Sequence, residues 1–577
     1  MLKMACQQRN GQGKPPEAWE QWLEGSVASL HERSLFRTLR PTVPGLSAVE
    51  AAVSQADIDA WVAGCPPASL AGTSSSAAGA ALPSLAESPD LRTIKLFSLN
   101  DYLGLSTHPA VRRAAAEAAL QCGNGPRSSA LVGGYTAWHA QLEAVLAELK
   151  GTEDCLLFPT GFAANLAVAS VVCEGGPQGG SSSSGGGRGG SSAEAGSSGG
   201  RGSSQAGPRS QQPGPGQQPD LGQPQQQQQQ QQQAQAQQNQ QPAQQQQQQQ
   251  QQHVVVLSDE LNHASIVDGA RLGRRDGARL LVYRHNDLRH LEELLQSQVP
   301  AGARAVVLTD SLFSMDGDFA DLPGLAALRR KHGFLLVVDE AHATLVCGGR
   351  GGGAAEMFGV ASEVDLHVGT LSKAFGCLGG FVACSRRWKQ LLQNRGRAQV
   401  FSTALPVPVV AAAHAALRVA AEEPWRRERV WQLARRLGRE LGVPVSSPIV
   451  PLIIGPEQAA VDASMALLQR GLHVPAIRPP TVPRGTSRLR VSLSAAHGDG
   501  DLQELLAALR ACGLRFRGVD SVLGEVAAAA LEAGAAAAGA ADAAAGRLAA
   551  VEAAAVAAGT PALLAAPVAG STPRSRL

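Results

Sequence analysis

Short apolar runs alternate with amphipathic segments over two blocks of this 577-residue chain, at about 18–173 and 253–517. "CLLF" (155–158) precedes "TGFAANLAVASVV", and "HVVVLSD" (253–259) precedes "NHASIVDGARLG". "ARAVVLTD" (303–310) leads into "LPGLAALRRKHG", and "FLLVVDEAH" (334–342) follows directly. The runs are β-branched and continuous, and helical patterns separate them. That is the pattern of strands buried on both faces of a parallel sheet. It predicts an α/β fold whose large domain has a mostly parallel central sheet with helices on both faces. Ligands of such sheets gather beyond the carboxyl ends of the strands. Thr160, Gly161, His263, Ser314, Asp339, His342, Thr370 and Lys373 all sit just after apolar runs. The chemistry is therefore expected along one edge.

Past about residue 404 the pattern changes to long helical stretches, then "IVPLIIG", a further helix and "RLRVSLSAAH". This predicts a smaller C-terminal α/β domain over 405–517. The segment "AWHAQLEAVLAELKG" (137–151) puts Trp138, Leu142, Val145, Leu146 and Leu149 on one helical face and stops at a glycine; core packing explains it. The large domain is expected over 99–173 and 253–404, preceded by a disordered N-terminus (1–17) and a helical segment or arm (18–98).

Composition accounts for what the periodicity leaves over. Residues 174–252 are Gly/Ser-rich and then Gln-rich, with almost nothing to bury. Such a tract cannot offset its ordering entropy and reads as a disordered insert. Residues 518–577 are mostly alanine and glycine and read as a flexible tail. The net charge is +2, with no basic run, so neither nucleic acid nor a membrane surface is an expected partner. Nine cysteines stand singly, with no CxxC pair. That pattern predicts a reducing compartment and no disulfide framework or metal site. No apolar run reaches membrane-spanning length. The N-terminus lacks an apolar signal core and carries Glu17, Glu20 and Glu24, which opposes a secretory signal or transit peptide. The last residues, Ser575-Arg576-Leu577, are a variant of the Ser-Lys-Leu address. They predict recognition by the peroxisomal import receptor, with the cytosol as the other location.

The chemistry turns on Lys373 in "VGTLSKAFG" (368–376). A P-loop needs glycine before its lysine and a hydroxyl after it; Ser372 and Ala374 break that pattern. A Schiff-base lysine for pyridoxal phosphate needs a carboxylate partner for the pyridine nitrogen. Asp339 ends the most hydrophobic strand in the chain, where a carboxylate is costly unless it meets a cation. His342, three residues on, could reach the cofactor's phenolic oxygen. The start of a helix at "PTGFAAN" would aim the Gly161 and Phe162 amides at an anion, and Thr370 and Ser314 could add hydroxyls. Capping by Thr160 accounts for one of these features but not the set. His263 is open to two readings, a ring stacked on the cofactor or an ordinary satisfied histidine.

"SLNDYLGLSTHP", "PTGFAAN", "LNHASIVDGARL", "TDSLFSMDGDFA", "VVDEAH", "GTLSKAFGCLGG" and "AIRPPTVPRGTSRLRVSLSAAH" occur in an order and spacing that resemble the α-oxoamine synthases. These are fold-type I pyridoxal phosphate enzymes, and the likeness spans nearly all of both globular blocks. The resemblance implies Lys373 as the cofactor's covalent anchor and general base, Asp339 as partner of the pyridine nitrogen and His263 as the stacking ring. It implies cofactor contacts from Ser314, His342, Gly161, Phe162 and Thr370. It implies Arg490 as the grip on the amino-acid carboxylate by two parallel bonds, with Thr481 and Arg478 near the second substrate. It also implies a homodimer in which "FSTALP" (401–406) serves the neighbouring site. "SSALVGGYT" (128–136), "AIRPPTVP" (476–483) and "SLSAAH" (492–497) resemble the oxononanoate-forming branch, which condenses L-alanine with a pimeloyl thioester. The alternative is a glycine-using branch. Glu340 and Ala343 depart from the family pattern at positions that are not cofactor ligands. A non-catalytic scaffold is opposed by the intact set of Lys373, Asp339, His263 and Arg490.

Overall fold

In the computed structural model each predicted apolar run becomes a strand, and residues 17–32, 39–45, 47–63, 91–173, 254–274 and 277–518 are described. The expectations for the extreme N-terminus, the 174–252 insert, the tail and Ser575-Arg576-Leu577 fall outside these residues. Seven strands build the central sheet: β1 (Asp154–Phe158), β2 (Val254–Asp259), β3 (Arg279–Tyr283), β4 (Arg304–Asp310), β5 (Leu335–Asp339), β6 (Leu366–Thr370) and β7 (Gly380–Cys384). Their spatial order is β1-β7-β6-β5-β4-β2-β3. β7 runs antiparallel to both neighbours, and the other pairings are parallel.

The continuous apolar runs are explained by the two faces of this sheet. Successive side chains of a strand point to opposite sides. Leu157, Val255, Leu257, Val307, Leu336 and Val338 join one buried cluster, while Leu156, Val254, Val256, Val306, Leu308 and Val337 join the other. Helix α1 (Ala137–Lys150) covers the first face and α2 (Gly161–Cys173) with α3 (Ala264–Gly273) the second. α1 buries Trp138, Leu142, Val145 and Leu146 and ends on Gly151, whose φ of 70° suits the left-handed cap.

The C-terminal part carries β8 (Ile449–Gly455), β9 (Ala476–Ile477) and β10 (Ser487–Ser492), an antiparallel sheet in the order β8-β10-β9. The 18–98 stretch differs from a helical arm. It holds helices Glu17–Glu32 and Gln55–Val62, but Val43–Pro44, Glu50–Ser54 and Leu91–Leu96 are strands that form a sheet with Leu472–His473. "EAAVS" has weak strand propensity on its own; the strands on either side supply its ladder.

Parallel strands feed their carboxyl ends to one edge. Asp259, Asp310, Asp339 and Thr370 are the last residues of β2, β4, β5 and β6. Gly380, the first residue of the reversed β7, pairs with Thr370 and with Phe158 at the same edge.

Candidate active site

Asp339 is buried at this edge and is held from two sides. Oδ1 accepts the Ala341 backbone N–H at 2.8 Å, and Oδ2 accepts the Asn165 amide at 2.6 Å. Among the described residues no Lys or Arg pairs with it at ion-pair distance. A dry carboxylate fixed by neutral donors is an arrangement that suits a cationic ring nitrogen. The Asp339 carbonyl is pinned by the backbone N–H and hydroxyl of Ser311 at 2.8 and 2.9 Å, which fixes the strand end itself.

His263 caps α3. Its Nδ1 accepts the Ser265 backbone N–H at 3.2 Å and lies 2.7 Å from the Ser265 hydroxyl. Its own backbone N–H donates to Asp310 Oδ2 at 2.6 Å. Burial lowers the imidazole's pKa, Asp339 opposes that, and the Lys373 charge adds to the lowering. The ring therefore favours its neutral form. Asp310 is pushed well above the ordinary carboxylate range by burial and by the neighbouring Asp339 charge. Its backbone pairs with Asp339 in the parallel ladder.

Lys373 lies in the loop between β6 and β7. Desolvation lowers its amine's pKa, Asp339 and Asp310 pull it back up, and Arg490 adds to the lowering. His342 is buried with Nδ1 2.7 Å from the Tyr102 hydroxyl. Burial, then the charges of Lys373, Arg490 and His263, hold its pKa well below the usual value. Burial also pushes the Tyr102 phenol up to about 12.

Arg490 reaches this group from β10. Nε donates to the Ser314 carbonyl at 2.5 Å, Nη1 to Asn100 Oδ1 at 3.3 Å and Ser492 Oγ at 2.8 Å, and Nη2 to Asn100 Oδ1 at 3.2 Å. The guanidinium also makes a side-chain hydrogen bond with the Tyr102 hydroxyl. A grip on a carboxylate by two parallel bonds therefore requires Asn100 or Tyr102 to yield.

The seat for an anion is made of bare backbone. Ala163 N–H is capped by the Thr160 hydroxyl at 3.0 Å, while the Gly161 and Phe162 N–H groups have no partner among the described residues. A Cβ on Gly161 would meet Thr370 Cβ at 3.1 Å, and one on Gly380 would meet the Thr160 carbonyl at 2.4 Å. Two free amides at a helix N-terminus, packed this closely against Thr370, suit a phosphate. The Thr370 hydroxyl donates to the Gly379 carbonyl at 3.0 Å and accepts the Ser372 N–H at 3.2 Å, with the Ser372 hydroxyl 2.8 Å away. A lysine amine, a buried carboxylate, a neutral imidazole and this seat share one sheet edge, and together the donor set fits pyridoxal phosphate.

Of the residues singled out from the sequence, Lys373 interacts electrostatically with Asp339, His263 and His342, and His263 with Asp339 and His342. Arg490 acts on Lys373 and His342 and ties in Ser314 through its carbonyl. Gly161, Phe162 and Thr370 form the neighbouring seat. Arg478 and Thr481 lie in the turn between β9 and β10, where Thr481 N–H donates to the Arg478 carbonyl at 3.1 Å. No side-chain hydrogen bond joins either residue to the cluster among the described residues. Sequence reasoning passed over Asn165, Ser265, Asp310, Asn100 and Tyr102. Asp310 carried a signal, being an acid that ends an apolar strand just as Asp339 does. Asn165 carried one too, as the lone amide of a mostly apolar helix.

Comparison with known proteins bears on this arrangement. The model of the family aminotransferase class I and II matches residues 236–509. The 8-amino-7-oxononanoate synthase of Arabidopsis thaliana is 46% identical over 422 residues, covering 73% of this chain and 75% of that protein. The enzyme of the same name from Anaeromyxobacter dehalogenans is 41% identical over 418 residues, covering 71% and 84%. Among solved structures, a Sphingomonas wittichii serine palmitoyltransferase superposes with a TM-score of 0.58 at 28% identity, covering 73% of this chain and 88% of that one.

Proposed function

Because the chain belongs to the 8-amino-7-oxononanoate synthase family, we infer that it is a pyridoxal phosphate-dependent acyltransferase of biotin synthesis. It condenses L-alanine with a pimeloyl thioester to give 8-amino-7-oxononanoate, CO₂ and free thiol. Overall, the alanine α-carbon gives up its proton and bonds to the acyl carbon, the carbon–sulfur bond breaks and the sulfur leaves as the protonated thiol, and the alanine carboxyl leaves as CO₂ while the α-carbon takes up a proton in its place. Convergence of Lys373, Asp339, His263, His342 and Arg490 at one sheet edge is the observation that carries this reading.

Pyridoxal phosphate, when bound, supplies an electron sink for the pair left on the alanine α-carbon. Lys373 would hold it covalently and would take the alanine α-proton; burial of its amine favours the neutral form that proton removal requires. Asp339 keeps the ring nitrogen protonated, and the Ala341 and Asn165 bonds hold its carboxylate in place. The Gly161 and Phe162 amides take the phosphate. His263 covers the ring, and His342 serves the phenolic oxygen. Arg490 takes the amino-acid carboxylate, Asn100 or Tyr102 giving up its place on the guanidinium. Thr481 and Arg478 serve the pimeloyl side.

A homodimer is part of this proposal. Val132 and Phe401 are 82% and 73% exposed, and Phe162 and Leu378 beside the site are also exposed. Residues 128–135 and 401–406 adjoin through the Ser129–Thr403 bridge. An exposed apolar group of this kind suits a second copy of the chain. Light scattering on the eluting peak is expected to give twice the chain mass.

Substrate choice is tested by offering alanine and glycine, each with pimeloyl, succinyl and acetyl thioesters, the pimeloyl group on coenzyme A and on acyl-carrier protein. Alanine with a pimeloyl thioester is the expected best pair. Preferred turnover of glycine with a succinyl thioester would overturn the assignment.

A further inference from the structure

Two residues on different helices, Asn165 of α2 and Ser265 of α3, connect Asp339 to His263, and none of the roles assigned above uses that connection beyond the hold on Asp339. Both are buried, at 5% and 1% exposure. The Asn165 amide nitrogen lies 2.6 Å from Asp339 Oδ2 and 2.8 Å from Ser265 Oγ. An amide NH₂ has two hydrogens and accepts nothing, so one goes to the carboxylate and the other to the hydroxyl.

That fixes the direction of the next bond. The Ser265 backbone N–H donates to His263 Nδ1 at 3.2 Å, so Nδ1 is an acceptor and carries no proton. The Ser265 hydroxyl, 2.7 Å from the same nitrogen, must then donate to it. Having accepted from Asn165, the hydroxyl has its single hydrogen free for this bond. The remaining hydrogen of the neutral imidazole is on Nε2, which has no partner among the described residues.

We propose that Asn165 is a positioning residue that, through Ser265, ties the Asp339 carboxylate and the His263 imidazole into one polarised chain and holds His263 as the Nε2–H tautomer. The inference rests on the function proposed above, because it assigns Asp339 and His263 to opposite tasks at one cofactor. A single side chain then does two things at once: it occupies Asp339 Oδ2, as the Ala341 N–H occupies Oδ1, and it sets which His263 nitrogen is left to donate. Direction matters as much as contact. Asn165→Asp keeps the shape but replaces the donor by an acceptor, which turns the Ser265 hydrogen away from His263 and sets another acid, besides Asp310, next to Asp339.

The test uses the full-length chain labelled with [15N]histidine, with and without pyridoxal phosphate, the His263 signals being identified by their loss in His263→Asn. Wild type is expected to show an unprotonated Nδ1 and a protonated Nε2. Asn165→Asp is expected to move proton population onto Nδ1 and to weaken cofactor binding by ~10-fold or more, read from the visible band; losses of this order follow removal of groups that orient ligands. Should that variant fail to fold, Ser265→Ala and Asn165→Ala carry the test. Each is expected to lower kcat by ~10-fold with the alanine KM little changed, and the double variant to lose little more than the worse single. A wild-type His263 protonated on Nδ1 would overturn the proposal. So would full independence of the two alanine variants, or singles within ~2-fold of wild type in kcat and cofactor affinity. Because tautomer and cofactor affinity are read without acyl substrate, either result leaves the condensation itself to be judged separately by wild-type product formation.

Discussion

Arg490 Nε donates to the Ser314 carbonyl oxygen at 2.5 Å, so the arginine proposed to receive the amino-acid carboxylate also anchors a loop of the large domain. The two tasks draw on different edges of one planar fork, which a lysine cannot reproduce. Arg490→Lys is expected to lower kcat/KM for alanine by about 100-fold, chiefly through KM, since charge-assisted bonds are worth about 1.5–3 kcal/mol each. Steady-state kinetics over a wide alanine range checks this.

Behind the site, Lys150 donates from Nζ to Glu340 Oε2 at 2.7 Å, and His367 Nδ1 lies 3.0 Å from the same oxygen, all three residues being buried. Lys150 also donates to Thr344 Oγ1 and the Gly352 carbonyl at 2.9 and 2.6 Å. Burial works to raise the Glu340 pKa, but the Lys150 charge and the His367 bond hold it down at about 2. Its stabilising contribution is thus present above the ordinary carboxylate pKa and is lost as pH falls toward about 2. Removing one partner strands a buried charge. Lys150→Met is expected to cost about 3–5 kcal/mol of stability, and Lys150→Met with Glu340→Gln to recover much of it. Denaturant unfolding of the single and double variants measures both.

A second ionic group predicts behaviour at the other end of the pH scale. His285 lies between Asp259 and Asp318, with Nδ1–Oδ1 and Nε2–Oδ2 distances of 3.0 and 2.8 Å. Burial opposes protonation, yet the two carboxylates raise its pKa to about 10. A histidine raised above its unfolded value stabilises fully below that value, about 6.5, and the contribution fades as pH rises through about 10. Melting temperature is therefore expected to decline from neutral pH to pH 10, and His285→Gln to flatten that decline.

The parts of the site legible in the sequence were those fixed by chain position. Asp339, Thr370, Gly161 and Lys373 follow apolar runs, and strand ends of a parallel sheet must share an edge. Residues whose role depends on packing between elements were not legible. Asn165 meets Asp339 across 174 positions, and Ser265 meets Asn165 across 100. Periodicity carries no information about such pairs. The "GFVAC" strand (380–384) was not among the predicted strands for a related reason: its antiparallel pairing with β6 and β1 joins residues from different parts of the chain. In the N-terminal stretch, alanine-rich "EAAVS" gave no strand pattern, and its conformation comes from its neighbours.

The most direct test of the account asks which lysine holds the cofactor. Purified chain loaded with pyridoxal phosphate is reduced with borohydride, digested and mapped by mass spectrometry. A visible absorption band is expected before reduction, and afterwards a pyridoxyl mass on the peptide containing Lys373; both vanish in Lys373→Ala. A stable modification on another lysine, or a protein that stays colourless with the cofactor in excess, would contradict it.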